Sequence, residues 1–170
     1  MISGVETERE RAAVDAGRID DPHEGITVLY RERYASMVRL AYLLTGSNEA
    51  AEELVQDAFV KVHRRWDRAY EPAAYLRTAV VNNCRSWHRR RFLERDRRPH
   101  AAPEAVEPSE PDHMWEALGA LQPRQRAALV LKFYEDLSEE QIASALGCRP
   151  GTVKSLVHRG LAELRKVVEP

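Results

Sequence analysis

Only two cysteines, Cys84 and Cys148, occur in the 170 residues, too few for a disulfide framework or a paired metal motif. Cys84 and His88 fall four apart on a predicted helix, a spacing that metal sites use, but no second Cys or His pair accompanies them. No metal or other cofactor is therefore expected. An apolar run near 18 residues is missing, and the start shows no charged n-region followed by an apolar h-region. Membrane insertion is not expected, and the chain reads as soluble and cytoplasmic. Strand-like alternation of useful length is absent, which excludes a sheet-based fold. Paired carboxylates with a histidine, a Gly-rich phosphate loop and a nucleophile signature are absent as well, which argues against an enzyme. Lysine is scarce: Lys61, Lys132, Lys154 and Lys166 leave 22 of the 26 basic residues as Arg. A GC-rich genome explains most of that excess, although arginine also suits bidentate phosphate contacts.

What is present is unevenly placed. Hydrophobic residues make up 44% and charged residues 31%, enough for a packed core under a heavily ionic surface. The net charge of −1 would argue against nucleic-acid binding if the charge were evenly spread. From Lys61 to Arg98, however, twelve basic residues face four acidic ones, a net of +8. Residues 1–24 carry three basic and seven acidic residues, and Pro99 to Glu116 carry five acidic residues and no Lys or Arg. A strongly basic module thus lies between acidic segments, the pattern expected of a chain with an anionic partner.

Residues 1–24 are polar, acidic and weakly patterned, and are expected to form a disordered tail or a frayed helix. From Thr27 to Thr45 the apolar positions Tyr30, Tyr34, Met37, Val38, Ala41 and Leu44 follow helical spacing, and Gly46 stops that helix. Ser47 or Asn48 caps a second helix, whose apolar stripe is Leu54, Val55, Ala58, Phe59, Val62 and Trp66. Its other face presents Glu49, Glu52, Glu53, Gln56 and Asp57. Pro72 opens a third helix running through Tyr75, Leu76, Ala79, Val80 and Asn83 to Trp87 and the basic end HRRRFLERDRR. The stretch PHAAPEAVEPSEPD has four prolines in fourteen residues and reads as a linker.

Beyond the linker, Trp115, Leu118 and Leu121 precede Pro123, which opens the short apolar helix RQRAALVLKFYEDL. Ser138 and Gln141 form a capping box for EEQIASAL, and Gly147 lies just past it. The final stretch, CRPGTVKSLVHRGLAELRK, then divides into two faces at about 100° per residue. Val153, Val157, Leu161, Leu164 and Val168 form one face, expected to pack on Ile142, Leu146, Leu129 and Phe133. Lys154, Ser155, His158, Arg159 and Ala162 form the other. Helix, Gly turn and second helix with a basic outward face make a helix-turn-helix. Attraction of cations to a helix C-terminus accounts for Arg165 and Lys166, but not for Lys154 near the positive end. The expected fold is all-α. It comprises an acidic tail at 1–24, a bundle over 25–97, a flexible acidic linker at 98–111 and a smaller bundle over 112–170.

Two places in this chain resemble one family. LTGSNEAAEELVQDAFVKVHRRW with AYLRTAVVNNCRSWHRRR is similar to region two of the extracytoplasmic-function sigma factors of bacterial RNA polymerase, of actinobacterial type. LSEEQIASALGCRPGTVKSLVHRGLAELR is similar to their region four. The resemblance implies a factor that binds core RNA polymerase and directs promoter-specific initiation, with promoter DNA as second partner and room for an anti-sigma factor. It places polymerase docking on Glu53, Gln56 and Asp57. It places minus-ten recognition and melting on the module with Tyr70, Tyr75, Asn82, Arg85, Arg89, Arg90 and Arg91. Those types suit opened DNA, where aromatics stack on bases, Asn reads an edge and Arg grips phosphate. Asn82, three residues before Arg85, matches the family's Asn better than Asn83 does.

Trp66 and Trp87 are expected to be core anchors, and Ser86 stands where many relatives carry Asp. Minus-thirty-five contacts fall on Arg149, Thr152, Lys154, Ser155, His158 and Arg159. Arg149 replaces a Ser-like cap, for which Pro150 at the first helical position partly compensates. Leu156 stands where many relatives have Arg. It lies about 60° from Val153, at the edge of the apolar stripe, where it can pack against the preceding helix.

The alternative is a stand-alone helix-turn-helix regulator of duplex operators, which would leave the acidic helix face and the basic aromatic module without a task. An interaction adaptor would leave the basic run at 85–98 unexplained. The acidic tail at 1–24 also has the charge to shield the basic module at low salt.

Overall fold

A computed structural model describes residues 22–68, 70–97 and 117–168. Among the described residues, six α-helices carry the architecture: α1 (Pro22–Thr45), α2 (Asn48–Arg64), α3 (Pro72–Arg97), α4 (Pro123–Phe133), α5 (Glu139–Leu146) and α6 (Pro150–Val168). A 3-10 turn at Trp66–Arg68 links α2 to α3. Among the described residues there is no strand. Helices α1–α3 form the first bundle and α4–α6 the second. The 98–111 linker and nearly all of the 1–24 tail lie outside the described residues.

Local chemistry sets most of the helix ends. Gly46, at φ 75°, takes the left-handed conformation that closes α1, and its N–H donates to the Tyr42 carbonyl at 2.8 Å. Ser47 caps α2 by accepting from the Ala50 N–H at 3.2 Å. Ser138 and Gln141 form the expected reciprocal box at α5, and Gly147 ends that helix at φ 59°.

The start of α1 differs from the expected tail boundary, because the helix begins at Pro22. Its first turn lies on the indole of Trp66: a Cβ on Gly25 would sit 2.1 Å from Trp66 Cζ2. Only a residue without a side chain permits this approach. Trp66 is buried, and Trp87 is half-buried against the core. Asn83 ties α3 to α2. It is buried, its Nδ2 donates to the Leu54 carbonyl at 2.8 Å, and its Oδ1 accepts from Lys61 Nζ.

In the second bundle, the buried line of α6 is Val153, Leu156 and Gly160, with Leu164 half-buried. This corrects the expected stripe, since Leu161 is 37% exposed and Phe133, expected as its partner, is 63% exposed. Gly160 supplies the reason. A Cβ there would meet Leu129 Cδ1 at 2.9 Å, so α4 approaches α6 at a position where no side chain intervenes. That approach rotates the buried face toward Leu156, which is 6% exposed.

The two bundles pack against each other, a docking that the helix pattern did not reveal. Arg126 of α4 is buried and donates to the carbonyls of Leu118 (2.8 Å), Gly119 (3.2 Å) and Leu121 (3.3 Å). Its Nη1 also reaches across to the Leu44 carbonyl of α1 at 3.1 Å. The last carbonyls of a helix have no partner within it, and a cation is favoured at that negative end.

Candidate nucleic-acid interface

Among the described residues, three polar surfaces lie outside these cores. On α2 the buried positions Ala51, Leu54, Val55, Ala58 and Phe59 leave Glu52, Glu53, Gln56 and Asp57 exposed on the opposite side. Val60 continues that face and is itself half-exposed, an apolar member that the acidic pattern concealed.

The second surface lies on α3. Asn82, Arg85, Ser86, Arg89 and Arg90 are all exposed and follow a 3-4 spacing that puts them on one side of the helix. Burial separates the adjacent asparagines: Asn83 is consumed by packing, whereas Asn82 is exposed with its Oδ1 3.4 Å from Arg85 Nη1. Tyr70 is 76% exposed just before α3. Tyr75, in contrast, is half-buried against the core. Arg91 also departs from its neighbours. It is half-buried and its guanidinium carbon lies 4.8 Å from the centroid of the Trp87 ring, a cation–π contact that ties it to the fold. Further along, Phe92 and Leu93 are exposed apolar side chains inside the basic end. The only sequence signal for them was their place between two Arg clusters.

His88 belongs to the fold rather than to the basic face. Its Nε2 lies 2.8 Å from the Leu44 carbonyl, so that nitrogen carries the proton and donates. Burial, aided by the nearby charges of Arg126 and Arg91, holds its pKa below the ordinary histidine value, against the opposing pull of that hydrogen bond. Cys84, one turn earlier, is buried among apolar side chains, which pushes its thiol up to about 12. The thiol is therefore protonated at physiological pH.

The third surface is the outer side of α6, where Lys154, Ser155, His158 and Arg159 are exposed and Thr152 is half-buried. Arg149 precedes the helix, and its carbonyl accepts from the Thr152 N–H at 2.9 Å. Ser155 Oγ donates to the Gly151 carbonyl at 3.1 Å, and Arg159 Nε donates to the Ser155 carbonyl at 3.2 Å. Lys154 sits at the unfavourable positive end of α6, but its Nζ lies 3.6 Å from Glu139 Oε2. The first turn of α5 thus offsets the repulsion. Glu140 beside it has a pKa below the usual carboxylate range, mainly from a backbone hydrogen bond and from Ser138, with Lys154 adding a smaller pull. Taken together, the described residues present an acidic helix face, a basic face with a solvent-facing Asn, and a helix-turn-helix with a basic outer side. Such surfaces can grip phosphate, read base edges and dock a protein, and among the described residues no catalytic constellation comes together.

Residues 29–92 match the family described as Sigma-70 region 2, and residues 113–164 match Sigma-70, region 4. The RNA polymerase sigma-E factor of Streptomyces avermitilis is 35% identical over 147 residues, which cover 82% of each chain. The ECF RNA polymerase sigma factor SigM of Mycobacterium tuberculosis is 30% identical over 97% of this chain and 88% of its own. Among solved structures, the sigma factor RpoE from Bartonella quintana, determined in complex with the anti-sigma factor NepR, superposes with a TM-score of 0.73. It is 26% identical, over 86% of this chain and 98% of that one.

Proposed function

The chain belongs to the extracytoplasmic-function sigma factors of bacterial RNA polymerase, and on that premise we propose how its surfaces divide the work. It binds core RNA polymerase and directs promoter-specific transcription initiation. The polymerase supplies the chemistry, and the factor supplies recognition without a catalytic step of its own. Polymerase and template place the factor in the cytoplasm, and among the described residues no helix is long and apolar enough to cross a membrane.

Residues 25–97 dock the polymerase and open the minus-ten element. Glu53, Gln56 and Asp57 of α2 meet the polymerase. On α3, Asn82 reads a base edge, Arg85, Arg89 and Arg90 hold the backbone, and Tyr70 stacks on an unpaired base. Tyr75, half-buried seven residues before Asn82, lies on the same side of α3, while Arg91 on the opposite side stacks on Trp87 and adds charge behind this face. Residues 112–170 read the minus-thirty-five element in the major groove through Lys154, Ser155, His158 and Arg159, with Arg149 and Thr152 at the helix start. The acidic stretch at 98–111 connects the two, and the acidic tail at 1–24 shields the basic module at low salt. A protein that silences the factor is a further partner, in keeping with the relative RpoE, which is held by an anti-sigma factor.

One observation carries this division: Glu53, Gln56 and Asp57 on α2, Asn82, Arg85, Arg89 and Arg90 on α3, and Lys154, Ser155, His158 and Arg159 on α6 are exposed, while their neighbours in the same helices build the core. Run-off transcription with purified core polymerase tests it. Asp57→Arg should abolish polymerase binding. Asn82→Ala should reduce strand opening, read by permanganate reactivity, with binding retained. Lys154→Glu should remove the dependence on the upstream element alone. Equal loss of every step in all three variants would refute the division.

A further inference from the structure

The last turns of α3 are held in a fixed rotation. His88 Nε2 donates to the Leu44 carbonyl at 2.8 Å, and three residues later the Arg91 guanidinium lies 4.8 Å from the centroid of the Trp87 ring. These contacts set which side of the helix end faces the fold and which faces solvent. At ~100° per residue, Asn82, Arg85, Arg89, Phe92 and Leu93 fall within one solvent-facing arc of about 100°. Phe92 is 71% exposed and Leu93 49%, and they flank Arg89 from either side of that arc.

Single exposed apolar side chains are ordinary on a protein surface and need no explanation. This pair differs in its placement, because it continues the line of Asn82, Arg85 and Arg89. The charge around it is also of one sign. From Pro72 to Leu93 the chain carries no carboxylate side chain, and Glu94 falls about 180° from Arg85. Such a face attracts a polyanion. A phosphate backbone satisfies the arginines, but Phe92 and Leu93 hold no group that phosphate or a polar base edge could engage. The apolar group that a base pair offers in the major groove is the thymine C5-methyl.

We propose that Phe92 and Leu93 read a thymine methyl in the duplex just upstream of the minus-ten element, with Arg89 between them on the backbone. The proposal rests on the assignment of the Asn82 face to that element. Ten residues at ~1.5 Å each put Phe92 about 15 Å along α3 from Asn82, or roughly four to five base pairs at ~3.4 Å. Beyond α3 the chain continues to the linker and the minus-thirty-five reader, so this step is taken upstream, where the strands are still paired. Paired bases are stacked and present their groove edges, which suits contact with a methyl and not insertion of a ring. One helix face then reads in two ways, by hydrogen bonding at Asn82 and by apolar contact at Phe92 and Leu93. Promoters of this factor should therefore favour thymine at a position that none of the assigned polar readers reaches.

Holoenzyme assembled from the full chain and core polymerase tests this on run-off templates randomised over the base pairs upstream of the minus-ten element. Sequencing the transcribed templates should show thymine enriched at one or two positions, roughly four to five base pairs from the base whose identity matters only when Asn82 is present. Deoxyuridine in place of that thymine removes the methyl alone, and wild-type affinity should fall about fourfold. The double variant Phe92→Ala with Leu93→Ala should lose at least as much on the thymine template and nothing further with deoxyuridine, at unchanged helicity by circular dichroism. The deoxyuridine comparison uses the unaltered protein and so stands whether or not the variant folds. Absence of thymine enrichment, or equal wild-type affinity for the two templates, would overturn the proposal. So would a double variant that still discriminates them. A double variant whose only defect is weaker binding to core polymerase or to phosphatidylglycerol vesicles would assign the pair to a protein or a lipid surface, and would overturn it too. If Asn82→Ala and Lys154→Glu leave transcription untouched, the promoter assignments themselves fail. If those variants behave as expected and thymine is not enriched, the methyl contact alone fails.

Discussion

Replacing Leu156 with Arg restores the residue type that many relatives carry, so a sequence comparison would expect it to improve DNA binding. The structure expects the reverse. Leu156 is 6% exposed and lies on the buried line of α6 with Val153 and Gly160. Burial of a leucine is worth about 1.5–3 kcal/mol. An arginine there forfeits that burial and must either strand its charge or push its stem past Leu129, with a total cost of about 3 kcal/mol or more. At roughly 2–4 °C per kcal/mol for a chain of this size, the melting temperature should fall by about 6–12 °C. The control is Leu161→Arg, five residues on, at a position 37% exposed. Surface changes of that kind stay within about 0.5 kcal/mol. Thermal unfolding followed by circular dichroism, with promoter binding measured below both transitions, reads the pair. An unchanged melting temperature with tighter binding for Leu156→Arg would refute the assignment of the buried face. So would equal losses at the two positions.

The two asparagines should separate in the same way. Asn83→Ala removes two hydrogen bonds, one buried and one part-buried, and should cost about 2 kcal/mol in urea unfolding, whereas Asn82→Ala should cost under about 0.5 and instead impair strand opening. Gly25→Ala forces a methyl into the Trp66 ring and should destabilise by about 1–3 kcal/mol with altered tryptophan fluorescence; an unchanged emission and stability would refute the contact. The neutral form of His88 is the one the fold favours, so its contribution is fully present above the ordinary histidine pKa near 6.5 and declines as pH falls below it. The groups facing it are Arg126 and Arg124 from α4, Arg85 and Arg91 from its own helix and the Leu44 carbonyl of α1, while Leu146 of α5 brings no charge. Stability should therefore drop between pH 7.5 and 5.5, and His88→Gln, which retains a donor to Leu44, should flatten that drop. An undiminished drop in the variant would assign the effect elsewhere.

Much of this molecule is legible in its residues because helix ends are closed by partners a few positions away. Gly46, Ser47, the Ser138–Gln141 box and Gly147 all act within one turn, and each is found where the local pattern put it. The division of α2 into a core stripe and an acidic face is equally local, since 3.6-residue periodicity alone separates Leu54 and Val55 from Glu53 and Asp57. The exposure of Asn82, Arg85, Lys154, Ser155, His158 and Arg159 follows from the same periodicity.

Tertiary contact settled the rest. Periodicity places Leu156 and Leu161 near opposite edges of one apolar arc, and only the approach of Leu129 at Gly160 chooses between them. Gly25 looks like a helix interruption until Trp66, forty-one residues away, is seen beneath it. Arg126 reads as one more surface cation in an Arg-rich chain. Its burial depends on the carbonyl of Leu44, eighty-two residues earlier, whose availability arises only because α1 ends there. The docking of the two bundles has the same origin, in hydrogen-bonding groups left over at helix ends and satisfied across a distance that no local pattern encodes.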